Sequence, residues 1–350
     1  MRSDLVSGLA FSTLCAGQYT TGWAAQNFDT IVTFGDSYTD ENRLGYFINH
    51  NGSAPPVGWD AGVSYKASTG GRVWPRYASA YTDSTLYNYA VSGAVCSNDI
   101  SPRWFSAINA PFPDIANYEL PAFVADSKFV SPNGTAFFTG TPSATVYAIW
   151  IGTNDVGNNA FLTDSQLPGK TLSDYVDCVY STINGLYANG ARYFVLLNLA
   201  PLNLVPQYAL PSQGGLNSTQ FFPEKPSVSG GNITEISYRM LETVDTVNSI
   251  YEYRTPFETR VNKTWPEAQI ANFDVHALMT DMYYNPKEYF NGTAPLNVTG
   301  YVIGAGNIST SDRDSFMWYD ELHPSEQTDR IIAREFVGVL GGESKWAKYW

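Results

Sequence analysis

A serine hydroxyl, an imidazole and a carboxylate can together cleave an ester, and this chain carries all three in short polar segments. Phe34-Gly35-Asp36-Ser37-Tyr38-Thr39-Asp40 directly follows the β-branched run at residues 30–34 (TIVTF). A serine there can be presented at the start of a helix, where backbone N–H groups are free to hold negative charge. Asp320-Glu321-Leu322-His323-Pro324 offers the partners. A serine is a poor nucleophile until a base takes its proton, histidine has a pKa suited to that work, and a carboxylate three residues earlier can hold the ring tautomer. Two more turns could bind a developing oxyanion. Ser92-Gly93-Ala94 has a glycine N–H that no side chain obstructs, and Gly152-Thr153-Asn154-Asp155 has a side-chain amide that can donate. Taken singly, each segment is an ordinary turn, a helix cap or a surface salt link. Three polar loops that follow three successive strands would face one crevice, which gives them joint weight.

Apolar patterning supplies the elements that must position these loops. Residues 30–34, 86–91, 145–151 (TVYAIWI), 193–199 (YFVLLNL) and 270–275 read as strands, and nearly continuous apolar strands fit a parallel sheet covered on both faces. Between them, residues 171–188 place Leu172, Tyr175, Val176, Val179, Ile183 and Leu186 on one helical stripe, with Thr171 and Asp174 as a capping pair. Residues 233–251 and 325–340 repeat the helical period, the last stopped by Gly341-Gly342. Alternating strands and helices predict an α/β fold: a three-layer α/β/α sandwich around a five-stranded, mainly parallel sheet with right-handed crossovers. Residues 45–76 form a long excursion without periodicity, of the kind more often functional than inert. Residues 206–231 and 285–311 read as further surface loops. Nothing resembles a linker, so residues 26–350 are expected to form a single domain.

The 350 residues carry a net charge of −13. Such a balance argues against nucleic acid, whose phosphates need basic patches, and against docking on an anionic membrane. Residues 1–25 read as a signal peptide, with the largely apolar run 5–16 and small residues at Ala16-Gly17 and Ala24-Ala25. No later run approaches the ~18 apolar residues of a spanning helix. Glycosylation sequons stand at Asn51, Asn133, Asn217, Asn232, Asn262, Asn291, Asn297 and Asn307, which suggests a secreted, extracellular glycoprotein bearing N-glycans. With Cys15 in the leader, Cys96 and Cys178 remain as an even pair in an oxidising compartment, either bridged or two buried thiols. A bridge would close a loop of about 80 residues, worth at most ~4–5 kcal/mol in the chain-entropy account. Gly169-Lys170-Thr171 fails as a phosphate loop because position 164 is Asp. There is no G-x-G-x-x-G, G-x-S-x-G or H-E-x-x-H, and three histidines with no cysteine cluster leave no basis for a catalytic zinc. Neither cofactor nor metal is expected.

The four segments, in this order and spacing, resemble the GDSL or SGNH hydrolase family over residues 27–340. The resemblance implies that Ser37 attacks, that His323 is the general base oriented by Asp320, and that the N–H groups of Ser37 and Gly93 with the Asn154 amide form the oxyanion hole. The leucine usual after the serine is Tyr38 here, outside the chemistry. Within the family, residues 88–98 (NYAVSGAVCSN), 70–77 and 149–157 look like fungal extracellular acetylesterases of carbohydrate esterase family sixteen. That likeness implies a secreted esterase releasing acetyl groups from oligosaccharides or another small ester. A lipid acylhydrolase and a non-catalytic carbohydrate-binding glycoprotein are the alternatives. With 9 Trp and 24 Tyr in the chain, Tyr46, Trp59 and Trp74 of the long excursion are candidates to stack on a sugar ring.

Overall fold

The computed structural model describes residues 22–350, apart from 229, 294 and 306–309. Most of the expected signal peptide, with Cys15, and the sequon at Asn307 lie outside the described residues.

The core of the molecule is a six-stranded sheet. Its strands are β1 (Thr30–Gly35), β2 (Thr85–Asn88), β3 (Thr145–Trp150), β4 (Tyr193–Leu197), β5 (Gln269–Phe273) and β6 (Ala347–Tyr349). They lie in the spatial order β6-β5-β4-β3-β1-β2. The first five run parallel, with Thr30 opposite both Thr85 and Thr145. Every residue of β1 and β3 is buried, as continuous apolar strands covered on both faces must be. The sixth strand corrects the expected count of five. It pairs antiparallel with β5 and spans only three residues beyond Gly341-Gly342, too short a segment to show a period.

Helices α1 (Arg43–Asn49), α2 (Trp74–Thr82), α3 (Leu120–Asp126), α4 (Leu172–Ala188), α5 (Ile233–Pro256), α6 (Val275–Tyr284) and α7 (Glu326–Leu340) complete the layers. The predicted capping box is present: Thr171 accepts from Asp174 N–H while Asp174 accepts from Thr171 N–H. α2 packs against α7, and α4 against both α3 and α5. Cys96 and Cys178 are bridged, which ties the loop after β2 to α4.

Three stretches without periodicity are more ordered than their sequence implies. The excursion at 45–76 is entered by α1 and left by α2. The expected surface loop at 206–231 buries Gln207, Tyr208, Phe222 and Lys225, whose Nζ donates to the Gln207 and Leu216 carbonyls. Within 285–311, Asn297–Tyr301 pairs parallel with Phe316–Trp318. In each case tertiary burial rather than local pattern makes the structure, and that burial cannot be read from period alone.

Candidate active site

The site forms where β1, β2 and β3 end, at the carboxyl edge of the sheet. Gly35 closes β1 at a φ of 155°, and a Cβ there would come within 2.2 Å of the Trp150 carbonyl oxygen, so only glycine lets β1 and β3 finish side by side. The chain then turns, with Thr39 and Asp40 N–H donating to the Asp36 carbonyl, and presents Ser37. Ser37 Oγ lies 2.8 Å from His323 Nε2. His323 Nδ1 lies 2.8 Å from Asp320 Oδ2 and 2.9 Å from Oδ1. Asp320 Oδ1 also accepts from the N–H groups of Leu322 and His323, so one carboxylate both shapes this loop and orients the ring. All three side chains are buried. A hydroxyl, imidazole and carboxylate so connected can pass the serine proton to the ring as the oxygen attacks.

Donors for negative charge stand beside them. The N–H groups of Ser37 and Gly93 have no acceptor among the described residues. Asn154 Nδ2 donates to the Ala94 carbonyl at 2.8 Å, which fixes the amide and leaves its second hydrogen available. Gly93 has a φ of 85°, and a Cβ on it would strike the Phe112 ring at 2.3 Å. The cavity above these groups is about 280 Å³ and is walled by Leu44, Phe105, Phe112, Phe221 and Leu322. The Phe221 ring stands edge-on to His323 at 5.3 Å.

Several residues that hold the site carry no signal in the sequence. Tyr38 is one: its hydroxyl donates to the Leu322 carbonyl at 2.6 Å and its ring lies 5.8 Å from the His323 ring. A leucine there could not pin the histidine loop, so Tyr38 does take part in positioning. Glu119, fully buried, accepts from Gly35 N–H at 3.0 Å and from Val91 N–H at 3.2 Å, which joins the ends of β1 and β2. Arg103 Nη1 donates to the Gly93 carbonyl at 2.7 Å. Glu119 closes a π-helical turn (Ile115–Glu119) and Arg103 falls in an irregular segment, and only three-dimensional contact gives either its meaning.

The proposed aromatic contacts require correction. Trp74 has no exposed surface: its ring packs against Trp150 and Phe336, and its Nε1 donates to Thr39 Oγ1. Opening α2 turns the ring into the core, so Trp74 offers nothing to a ligand. Tyr46 stacks flat on His50 at 3.8 Å, and Trp59 stands edge-on to Tyr46 with the Arg43 guanidinium over its ring. None of the three lines the cavity; the excursion contributes Ser68 instead, and Leu44 of α1 stands just before it. Trp104, 63% exposed, sits next to Phe105 on a short hairpin and is an aromatic that composition alone could not single out.

Two carboxyls beside these groups are fully buried, and burial raises Asp36 to about 6 and Asp155 to about 8. Glu119 and Asp329 are pushed up by the same cause. A folded-state pKa above the unfolded value means that the folded chain holds the proton more tightly. The associated stability is therefore fully present below about pH 4 and is lost as pH climbs through these raised values. At ~1.4 kcal/mol per pKa unit, the loss between pH 5 and pH 8 amounts to about 3 kcal/mol or more. Melting temperature should accordingly fall by several degrees over that interval in calorimetry, and Asp155→Asn should flatten the slope. A melting temperature that is constant or rises from pH 5 to pH 8 would refute this.

Among the described residues no group of His, Cys, Asp and Glu could hold a metal ion, and no helix is long and apolar enough to cross a membrane.

Comparison with known proteins adds to this geometry. The sequence profile of the family described as GDSL-like lipase/acylhydrolase matches residues 31–336. An acetylesterase from Hypocrea jecorina is 40% identical over 331 residues, covering 93% of this chain and 92% of its own. An acetylesterase from Thermothelomyces thermophilus is 24% identical over 323 residues, covering 89% and 88%. Among solved structures, a catalytic mutant of an acetylxylan esterase from Geobacillus stearothermophilus aligns over 91% of this chain and 95% of its own, at 13% identity and a TM-score of 0.37.

Proposed function

This chain belongs to the family of GDSL-like lipases and acylhydrolases, and we propose that within it the chain is a secreted carboxylic ester hydrolase removing acetyl and other short acyl groups from carbohydrates. Ser37 is the nucleophile, His323 the general base and later general acid, and Asp320 the group that holds the ring. Ser37 N–H, Gly93 N–H and the Asn154 amide receive the oxyanion. One observation carries this reading: the unbroken hydrogen-bonded chain from Ser37 through His323 to Asp320, opening on a cavity with free N–H donors. A non-catalytic binding protein would have no use for that alignment.

The cavity supports a small acyl group. At about 280 Å³ it lies at the lower end of small-molecule pockets, and its aromatic walls suit an acetyl carbonyl and an adjoining ring better than a long chain. Acetyl nitrophenyl ester should be cleaved with a kcat/KM on the order of a hundredfold above the octanoyl ester, and acetate should be released from acetylated xylo-oligosaccharide. Preference for octanoate with no acetate released would refute this reading and favour a lipid acylhydrolase.

Secretion is supported by the Cys96–Cys178 bridge, since disulfides persist in oxidising compartments. Asn51, Asn133, Asn217, Asn232, Asn262 and Asn291 are exposed and are the proposed glycan acceptors. Asn297 is partly buried in a strand, its Oδ1 taken by Thr299 and Gly300 N–H, and suits a glycan less well.

A further inference from the structure

A second cleft, of about 350 Å³, opens at the same carboxyl edge of the sheet as the catalytic cavity, between α5 and the ends of β4, β5 and β6. With neighbouring strands about 4.8 Å apart, the three steps from β1 to β5 put it roughly 15 Å from Ser37 along that edge. No step of ester cleavage uses it.

Its lining contains two buried polar atoms without a partner among the described residues, Asn272 Oδ1 and His276 Nε2. The Asn272 amide cannot be turned round to relieve this, because its Nδ2 already donates to the Tyr251 carbonyl at 3.2 Å and Thr255 Oγ1 at 2.9 Å. Burial lowers the His276 pKa and so favours the neutral ring, which can either donate or accept. Charge around the cleft is mixed: Asp245, Glu252 and Asp274 face Lys345 and Lys348, and Glu252 is already paired with Lys348. Such a lining selects neither an anion nor a cation. It suits a neutral molecule whose many hydroxyls both donate and accept.

Aromatic rings give the cleft its direction. Trp346, partly buried against the core, lies on its wall with the ammonium of the exposed Lys345 over its ring, which a ligand can displace. On one side the cleft continues past His276 and Trp346 into a depression bounded by Tyr284, 62% exposed. On the other it continues past Asp245 and Ser249 to Tyr253, 74% exposed, and Phe257 just past the end of α5. A trough with rings at intervals and uncharged polar atoms in its floor fits a chain of sugar rings, whose apolar faces stack while their hydroxyls bond.

We propose that this trough is a non-catalytic polysaccharide-binding site that holds a glycan chain beside the catalytic cavity. The choice of glycan rests on the proposed carbohydrate esterase function; the binding itself does not. The test uses the full secreted protein and insoluble unacetylated xylan and cellulose, which offer no ester to the catalytic cavity. Wild type should be retained on at least one of them. Trp346→Ala and the exposed Tyr284→Ala should each weaken retention by roughly tenfold, the size of one lost stacking contact, with kcat/KM on acetyl nitrophenyl ester unchanged. Because Tyr284 is exposed, its variant keeps the result interpretable if Trp346→Ala fails to fold. Absence of wild-type retention on both polymers, or retention untouched by Tyr284→Ala and a folded Trp346→Ala, would overturn the proposal. The two readings fail separately. Acetate release from acetylated xylo-oligosaccharide without polymer retention leaves the esterase and removes the trough, whereas Trp346-dependent retention without acetate release does the reverse.

Discussion

Ser37→Ala is expected to lower kcat on acetyl nitrophenyl ester by roughly 10⁴-fold or more while leaving the fold intact. The side chain makes one hydrogen bond, to His323 Nε2, and its removal leaves only a small void at the cavity floor. The N–H of residue 37, that of Gly93 and the Asn154 amide all persist in the variant. Residual activity would therefore measure what the oxyanion donors do without a nucleophile. Rapid-mixing kinetics supply an independent readout, because an acyl-enzyme burst present in wild type should vanish in the variant. Retention of about a tenth of the activity, or of the burst, would rule out Ser37 as the attacking group.

Asp320→Asn is expected to cost about 10⁴-fold in kcat with KM little changed, and the reason lies in the way one carboxylate is shared. Asp320 Oδ1 accepts from the N–H groups of Leu322 and His323 as well as from the ring. An asparagine would keep its carbonyl oxygen on those N–H groups, so its NH₂ would face Nδ1. That contact requires Nδ1 to accept, which places the ring proton on Nε2, where it blocks uptake of the Ser37 proton. Loop geometry and melting temperature should be preserved. Asp320→Ala removes the acceptor from both N–H groups, so it should lose activity and also melt lower. A loss below about tenfold in Asp320→Asn would mean that tautomer control is not what Asp320 supplies.

The residues that meet in the site were legible because each sits in a short polar segment beside an apolar run, and in a parallel sheet those runs all end at one edge. Ser37, Gly93 and Asn154 follow β1, β2 and β3 in this way. Asp320 and His323 precede α7, whose period is clear. What was not legible depends on contacts between segments far apart in sequence. Glu119 is 84 residues from the Gly35 N–H that it accepts, and Tyr38 is 284 residues from the carbonyl that it pins. Trp74 misled for a related reason. A tryptophan in an aperiodic stretch looks available, but the stretch ends in a helix whose first residue points inward, and only the packing of α2 on α7 reveals it. The sixth strand escaped notice because three residues cannot display an alternation.

The bridge between Cys96 and Cys178 has a consequence for how the protein can be made. Cys96 lies three residues beyond Gly93, and its N–H donates to Asp155 at 2.9 Å, next to the Asn154 amide that itself holds the Ala94 carbonyl. The loops carrying Gly93 and Asn154 are thus tied together beside the sulfur that anchors the first of them to α4. Chain produced in a reducing cytosol would have the same sequence and the same serine, yet its two loops would meet without that anchor. For this enzyme the folding compartment acts as a reagent in its own right, because loss of the bridge adds only two hydrogen atoms to the polypeptide yet can change its turnover.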